Sequence, residues 1–262
     1  MTRITDTFAR LKKEKKPAFM PFMVAGDPNF AMSLRILLQL AKTADILEIG
    51  FPYSDPLADG PAIQAAGQRA LKNGMTTGKA FQLVKKVRQA HPRLPIVLMV
   101  YANLVYARGI KQFYAAAANA GTDGVLVPDL PLEEAAPYIA AARQRGIDPV
   151  FLAAQTTPSA RLRQIFQQAR GFLYAVSVLG VTGERKRVSP QTIRLIRRLK
   201  KTAALPVAVG FGISSPAQAR AVVRAGADGY IVGSLLVSIV GRNPQAKDLP
   251  QKIHKLARTF KD

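Results

Sequence analysis

Short apolar, β-branched runs alternate along the whole chain with longer stretches whose apolar positions recur at helical spacing. The runs predict strands at Ala18–Gly26, Ala44–Gly50, Ile96–Tyr101, Gly124–Asp129, Pro149–Ala154, Phe172–Val178, Pro206–Gly210 and Gly229–Ser234. Between them the period predicts helices at Ala31–Lys42, Ile63–Gln89, Ile110–Ala120, Leu132–Gln144, Ser159–Ala169, Pro190–Lys201 and Pro216–Ala225. Pro250–Phe260 closes the chain, and an extra helix precedes the first strand. Asp27-Pro28, Ser189-Pro190 and Ser215-Pro216 are helix-start signals, with proline set for the first turn. Strands that are apolar throughout, without polar alternation, belong in a parallel sheet covered on both faces. Eight such units in about 250 residues fit a (β/α)8 TIM barrel better than an open doubly wound sheet. No linker-like or low-complexity stretch interrupts the alternation, so residues 1–262 are expected to form one domain.

Composition narrows the chemistry. The absence of cysteine removes disulfide frameworks, thiolate metal sites and cysteine nucleophiles. The two histidines, His91 and His254, lie far apart and argue against a histidine-rich metal centre. No apolar run reaches the eighteen or so residues of a membrane span. Lys12–Lys16 followed by Ala18–Gly26 resembles a leader, but the short run carries Pro21 and reads as a strand, so the expected location is cytoplasmic. The 38 basic residues against 16 acidic ones give a net charge of +22, which invites a nucleic-acid or anionic-surface reading. Those cations are spread along the helices and dense only at Lys12–Lys16, Arg185–Arg187 and Arg197–Lys201, without interleaved aromatics. A solvated helical exterior is the favoured reading over a nucleic-acid groove.

With so few acids, their placement is informative. Asp45, Glu48, Asp55 and Asp59 fall within fifteen residues, where an even spread would place about one. Glu48 lies inside Ile46-Leu47-Glu48-Ile49, so either face of its strand removes the carboxylate from water. Burial raises a carboxylate's pKa and suits it to acid–base catalysis near neutrality; the alternative is a structural carboxylate paired with an arginine or backbone amides. The loop Pro52–Pro61, with three prolines and a glycine counting its ends, would fix Asp59 opposite Glu48 at the catalytic mouth. Helix capping is the alternative for Asp59, and a turn role is favoured for Asp55.

Gly210-Phe211-Gly212-Ile213-Ser214 and Gly233-Ser234 follow the seventh and eighth strands, where barrels commonly bind phosphate, and Leu179–Gly183 adds glycines after the sixth. No lysine stands at a strand end, which argues against Schiff-base chemistry. Metal-free, carboxylate-driven work on a phosphorylated substrate remains.

The segment Leu47-Glu48-Ile49-Gly50-Phe51-Pro52-Tyr53-Ser54-Asp55-Pro56-Leu57-Ala58-Asp59-Gly60-Pro61 closely resembles the signature of the tryptophan synthase alpha chain family. The likeness continues in order through Pro21-Phe22, Gly26-Asp27-Pro28, Tyr101-Ala102-Asn103, Val127–Pro131, Gly180–Gly183, Gly210–Ser214 and Gly233-Ser234. The resemblance implies retro-aldol cleavage of indole-3-glycerol phosphate to indole and glyceraldehyde 3-phosphate. It assigns Glu48 as the general acid/base and Asp59 as the carboxylate facing the indole N–H. It places phosphate-binding amides at Gly183, Gly212, Gly233 and Ser234, and an indole pocket at Phe22, Tyr101, Tyr174 and Phe211. Thr182 would sit on a closing loop that contacts Asp59. The resemblance further implies a beta chain in an α2β2 tetramer, faced by Pro56, Asn103 and Asp129, with pyridoxal phosphate held by that partner and no cofactor or metal in this chain. Gln155, where many members carry proline, the basic run Glu184–Arg187 and the high positive charge depart from the family pattern. The rival readings are a sugar-phosphate isomerase or epimerase barrel and a non-catalytic RNA-binding module.

Overall fold

The computed structural model describes residues 2–176, 188–210 and 212–261. Its sheet is a closed parallel barrel in strictly sequential order: β1 (Ala18–Val24), β2 (Leu47–Gly50), β3 (Ile96–Met99), β4 (Gly124–Leu126), β5 (Asp148–Ala153), β6 (Leu173–Val176), β7 (Val207–Gly210) and β8 (Gly229–Val232), with β8 pairing back onto β1. The expected TIM barrel is therefore the observed one. Apart from β5, which is shifted by one residue toward the N-terminus, the strands are shorter than the apolar runs that predicted them, because apolar residues beyond them bury themselves in the loops of the rims. Ala25, Phe51, Val100 and Tyr101 are examples, buried yet outside any strand.

The helices are α1 (Arg3–Lys13), α2 (Phe30–Leu40), α3 (Pro61–Lys72), α4 (Thr77–Ala90), α5 (Ala102–Arg108), α6 (Ile110–Ala120), α7 (Ala136–Gln144), α8 (Ser159–Gln168), α9 (Pro190–Thr202), α10 (Pro216–Arg224), α11 (Ser234–Arg242) and α12 (Leu249–Lys261). Side-chain oxygens of Thr2, Asn29, Thr76, Ser189 and Ser215 accept hydrogen bonds from first-turn amides and set the starts of α1, α2, α4, α9 and α10. The single helix expected over Ile63–Gln89 is two. Gly74, at φ +73°, turns the chain after Lys72, and Thr76 caps a new start. Leu132–Gln144 likewise opens as a short 3₁₀ turn, Leu132–Glu134, before α7. Helix α5 was not expected, and Ser234 begins α11 instead of ending a strand. Among the described residues no helix is long and apolar enough to cross a membrane.

The N-terminal ends of the strands are closed by α1, whose Ile4, Phe8 and Leu11 are buried against the barrel. Carboxylates brace this end. Asp123 takes hydrogen bonds from Arg3 (2.8 Å), Arg88 (2.5 Å) and the Ile96 amide (2.8 Å), and Asp148 takes one from the Thr2 hydroxyl (2.6 Å). Asp45 accepts the Phe19 N–H at 2.9 Å and pairs with Lys261 of α12 at 2.7 Å and with Arg10 of α1 at 3.8 Å. Asp228 similarly joins Lys200 (2.6 Å) to the Val207 amide (2.7 Å). Buried carboxylates are tolerated where such donors surround them. The opposite end of the barrel is built on different terms.

Candidate active site

In β2 side chains alternate, so Glu48 and Gly50 project to the same face. A Cβ at Gly50 would meet the Phe22 ring at 2.6 Å, and Phe22 stands beside Glu48 in the β1–β2 register. That shared face is the barrel interior. Glu48 is completely buried, and neither of its carboxylate oxygens has a hydrogen-bond partner among the described residues. Desolvation, reinforced by the charge of Asp59, pushes its pKa from the ordinary 4.5 up to about 8. Among the described residues, no arginine or amide pairs with Glu48 as the structural alternative requires.

Asp59 reaches the same space from the rigid loop after β2. The N-cap of α3 is Gly60, with no side-chain cap, so Asp59 does not cap that helix. Its Oδ1 is buried and unpartnered among the described residues. Burial raises its pKa to about 6, against the lowering influence of the neighbouring Tyr101 hydroxyl. That hydroxyl also accepts the Ala58 N–H at 3.0 Å and stacks its ring on Tyr53 with centroids 5.1 Å apart, fixing the loop from below. Burial first, and then the fields of Glu48 and Asp59, hold the pKa of the Tyr174 hydroxyl above its ordinary value. Of the four clustered acids, the structure brings Glu48 and Asp59 together. Asp45 belongs to the opposite end, and Asp55 is exposed, taking a hydrogen bond from the adjacent Ser54 hydroxyl in place of the expected backbone amides.

Two aromatic rings fill the interior beside the carboxylates because strand-end glycines leave room for them. Gly210 has its missing Cβ inside the volume of the Tyr174 ring, and Gly233 faces Phe22 at 3.1 Å. We expect Gly210→Ala to displace Tyr174 and cost about 1–3 kcal/mol by overpacking, read as a fall of several degrees in thermal midpoint; an unchanged midpoint would contradict this packing.

A small interior cavity carries Asp59 at one side, Phe22 and Tyr174 as walls, and Gly212, Gly233 and Ser234 at the rim. Met99, Ile63, Ile213 and Ile231 complete it. In sequence these four look like any core residue, and nothing singled them out. Its volume of about 30 Å³ admits a water-sized molecule, so a bicyclic ring enters only as its walls shift outward. Gly212 has φ +82°, a conformation that favours glycine, and open space where a side chain would be. Gly233 is the N-cap of α11, whose first amides, from Ser234 onward, provide the positive end that suits an anion. Thr182, Gly183 and Phe211 lie outside the described residues.

Pro56, Asn103 and Asp129 occupy the same rim, outside the cavity. Asn103 and Asp129 are exposed; the Asn103 amide donates to the Tyr53 hydroxyl at 3.2 Å, and Asp129 accepts the Ala102 N–H at 2.9 Å. Leu57 (93% exposed) and Tyr106 (72% exposed) are the exposed large apolar side chains among the described residues, Leu57 directly after Pro56.

A family model described as "Tryptophan synthase alpha chain" matches residues 8–262. The tryptophan synthase alpha chain of Methanothermobacter thermautotrophicus is 50% identical over 246 residues, covering 93% of this chain and 91% of that one. A chain from the tryptophan synthase a2b2 complex of Pyrococcus furiosus superposes with a TM-score of 0.87 at 41% identity, covering 93% of this chain and 97% of its own. Tryptophan synthase subunit alpha from Legionella pneumophila superposes with a TM-score of 0.90 at 35% identity, covering 99% and 97%.

Proposed function

The chain belongs to the tryptophan synthase alpha chain family, and we propose that Glu48 and Asp59 perform the family's reaction. That reaction is the carbon–carbon lyase cleavage of indole-3-glycerol phosphate to indole and glyceraldehyde 3-phosphate, and the chain works with a beta chain in an α2β2 assembly. The supporting observation is a pair of neighbouring carboxylates, Glu48 fully buried with both oxygens unpartnered among the described residues and Asp59 largely buried with Oδ1 unpartnered, whose pKa values are pushed to different heights.

The separation of those pKa values divides the roles. At neutral pH Glu48 holds a proton and delivers it to indole C3, which leaves positive charge on the ring nitrogen. Asp59, largely ionised at the same pH, stabilises that charge. As the bond between C3 and the glycerol carbon breaks, its electron pair returns to the ring and restores aromaticity. The Glu48 carboxylate takes the proton of the glycerol hydroxyl, whose oxygen becomes the aldehyde carbonyl. Glu48 thus ends as it began, and the donated proton stays on indole C3.

Phe22, Tyr174 and Phe211 would hold the apolar ring, with Tyr101 positioning Asp59. Amides at Gly183, Gly212, Gly233 and Ser234 would bind the phosphate, and Thr182 would close over Asp59. Pro56, Asn103 and Asp129 would face the beta chain, which would carry the pyridoxal phosphate. In this reading the chain itself holds no cofactor and acts in the cytoplasm.

The direct test is indole release from indole-3-glycerol phosphate by the purified chain, alone and with a beta chain. We expect turnover that rises with the beta chain. Absence of indole in both arms would overturn the assignment and favour a barrel isomerase.

A further inference from the structure

A second cavity, about 440 Å³, lies away from the carboxylate pair, outside the barrel where α1, α10 and α12 meet the N-terminal ends of β1 and β8. That volume falls in the range of small-molecule sites, about 300–1,000 Å³. Its floor is aromatic: Phe19 stacks on Phe260 with centroids 6.0 Å apart and an interplanar angle of 5°, and Tyr230 lies 5.9 Å from Phe19. The Tyr230 hydroxyl is already bonded to the Phe260 carbonyl at 2.6 Å, so the floor makes no polar demand on an occupant.

The rim is cationic. Arg10, Lys16, Arg220, Arg224 and Lys261 border the cavity against only Glu14 and Asp45. Both carboxylates are engaged: Asp45 by Lys261 and the Phe19 amide, Glu14 by Arg10 at 2.9 Å and Lys16 at 3.3 Å. Arg220 and Arg224 have no hydrogen bond or ion pair among the described residues. They stand one turn apart on α10, an arrangement in which like charges repel and an anion between them relieves the repulsion.

From these features we infer that this cavity binds a flat aromatic acid, its ring system on the Phe19–Tyr230–Phe260 floor and its anionic group against Arg220 and Arg224. The site is independent of the lyase chemistry, and a guanidinium pair is suited to a planar carboxylate or sulfonate.

The test uses 8-anilinonaphthalene-1-sulfonate as probe and N-phenyl-1-naphthylamine, the same rings without the charge, as control. The intact chain should bind the sulfonate saturably at one site and the control more weakly. Arg220→Gln with Arg224→Gln, both exposed positions, should weaken the sulfonate at least about tenfold, consistent with loss of two charge-assisted hydrogen bonds. Val223→Trp, which fills the cavity, should abolish binding. All variants should cleave indole-3-glycerol phosphate at the native rate. Equal affinity for probe and control, indifference to the arginine pair, or displacement of the probe by indole with glycerol 3-phosphate would each overturn the site.

Discussion

Glu48→Gln is expected to lower indole release about 10²–10⁴-fold, the usual contribution of a positioned acid–base group, while the chain remains folded. Gln matches the volume of Glu but neither gives up nor accepts the proton that the cleavage moves twice. The same variant carries a thermodynamic signature that a bystander would lack. Glu48 binds its proton far more tightly in the folded chain, about 8 against an ordinary 4.5. The stability associated with that bound proton is fully present below about pH 4.5 and is lost as pH rises toward 8. By pH 7 the loss amounts to about 3 kcal/mol, several degrees in thermal midpoint for a chain of this size. The midpoint of Glu48→Gln minus that of the wild type should therefore climb steadily between pH 4.5 and 8. Circular dichroism melts across this window read the sign directly. A flat difference, or turnover within about twofold of the wild type, would remove Glu48 from its role.

Asp59→Asn is expected to cost about 10²–10³ in turnover, the range seen when one preorganised charge stabiliser is lost. Its second effect falls on Glu48. The Asp59 charge is one of the two causes holding the Glu48 pKa high, so the amide should move that titration downward, leaving burial alone to raise it. Carbon-13 NMR of the Glu48 carboxyl separates the two consequences. A lost rate with an unmoved Glu48 titration would mean that Asp59 acts on substrate without sensing its neighbour. A moved titration with native turnover would make it a spectator.

Much of this architecture was legible in the chain. The eight apolar runs gave the barrel because parallel strands covered on both faces must be apolar at every position. Glu48 was conspicuous for the same reason, as a charge where the fold allows none. The rims were harder to read. Asn73-Gly74 divides what the helical period joined, since apolar spacing carries no record of backbone sign. Tyr101 is typed by sequence as an aromatic wall, but its hydroxyl is positioned by the Ala58 amide, a contact 43 residues away in the chain. Gly50 and Gly210 carried a signal in their places at strand ends, yet the rings they admit come from neighbouring strands. Asp27, fully buried and gripped by Arg69 through hydrogen bonds of 2.8 and 2.9 Å, is likewise invisible without the fold that joins them.

The carboxylate of Asp45 has a practical consequence for handling the protein. It anchors both the first and the last helix at the end of the barrel remote from the catalytic mouth. A surface immobilised through α1 or α12, or a fluorescent label carried there, would leave the opening oriented toward bulk solution. Single-molecule tethering or electrode attachment through those helices would thus leave the end that carries Glu48 and Asp59 unobstructed.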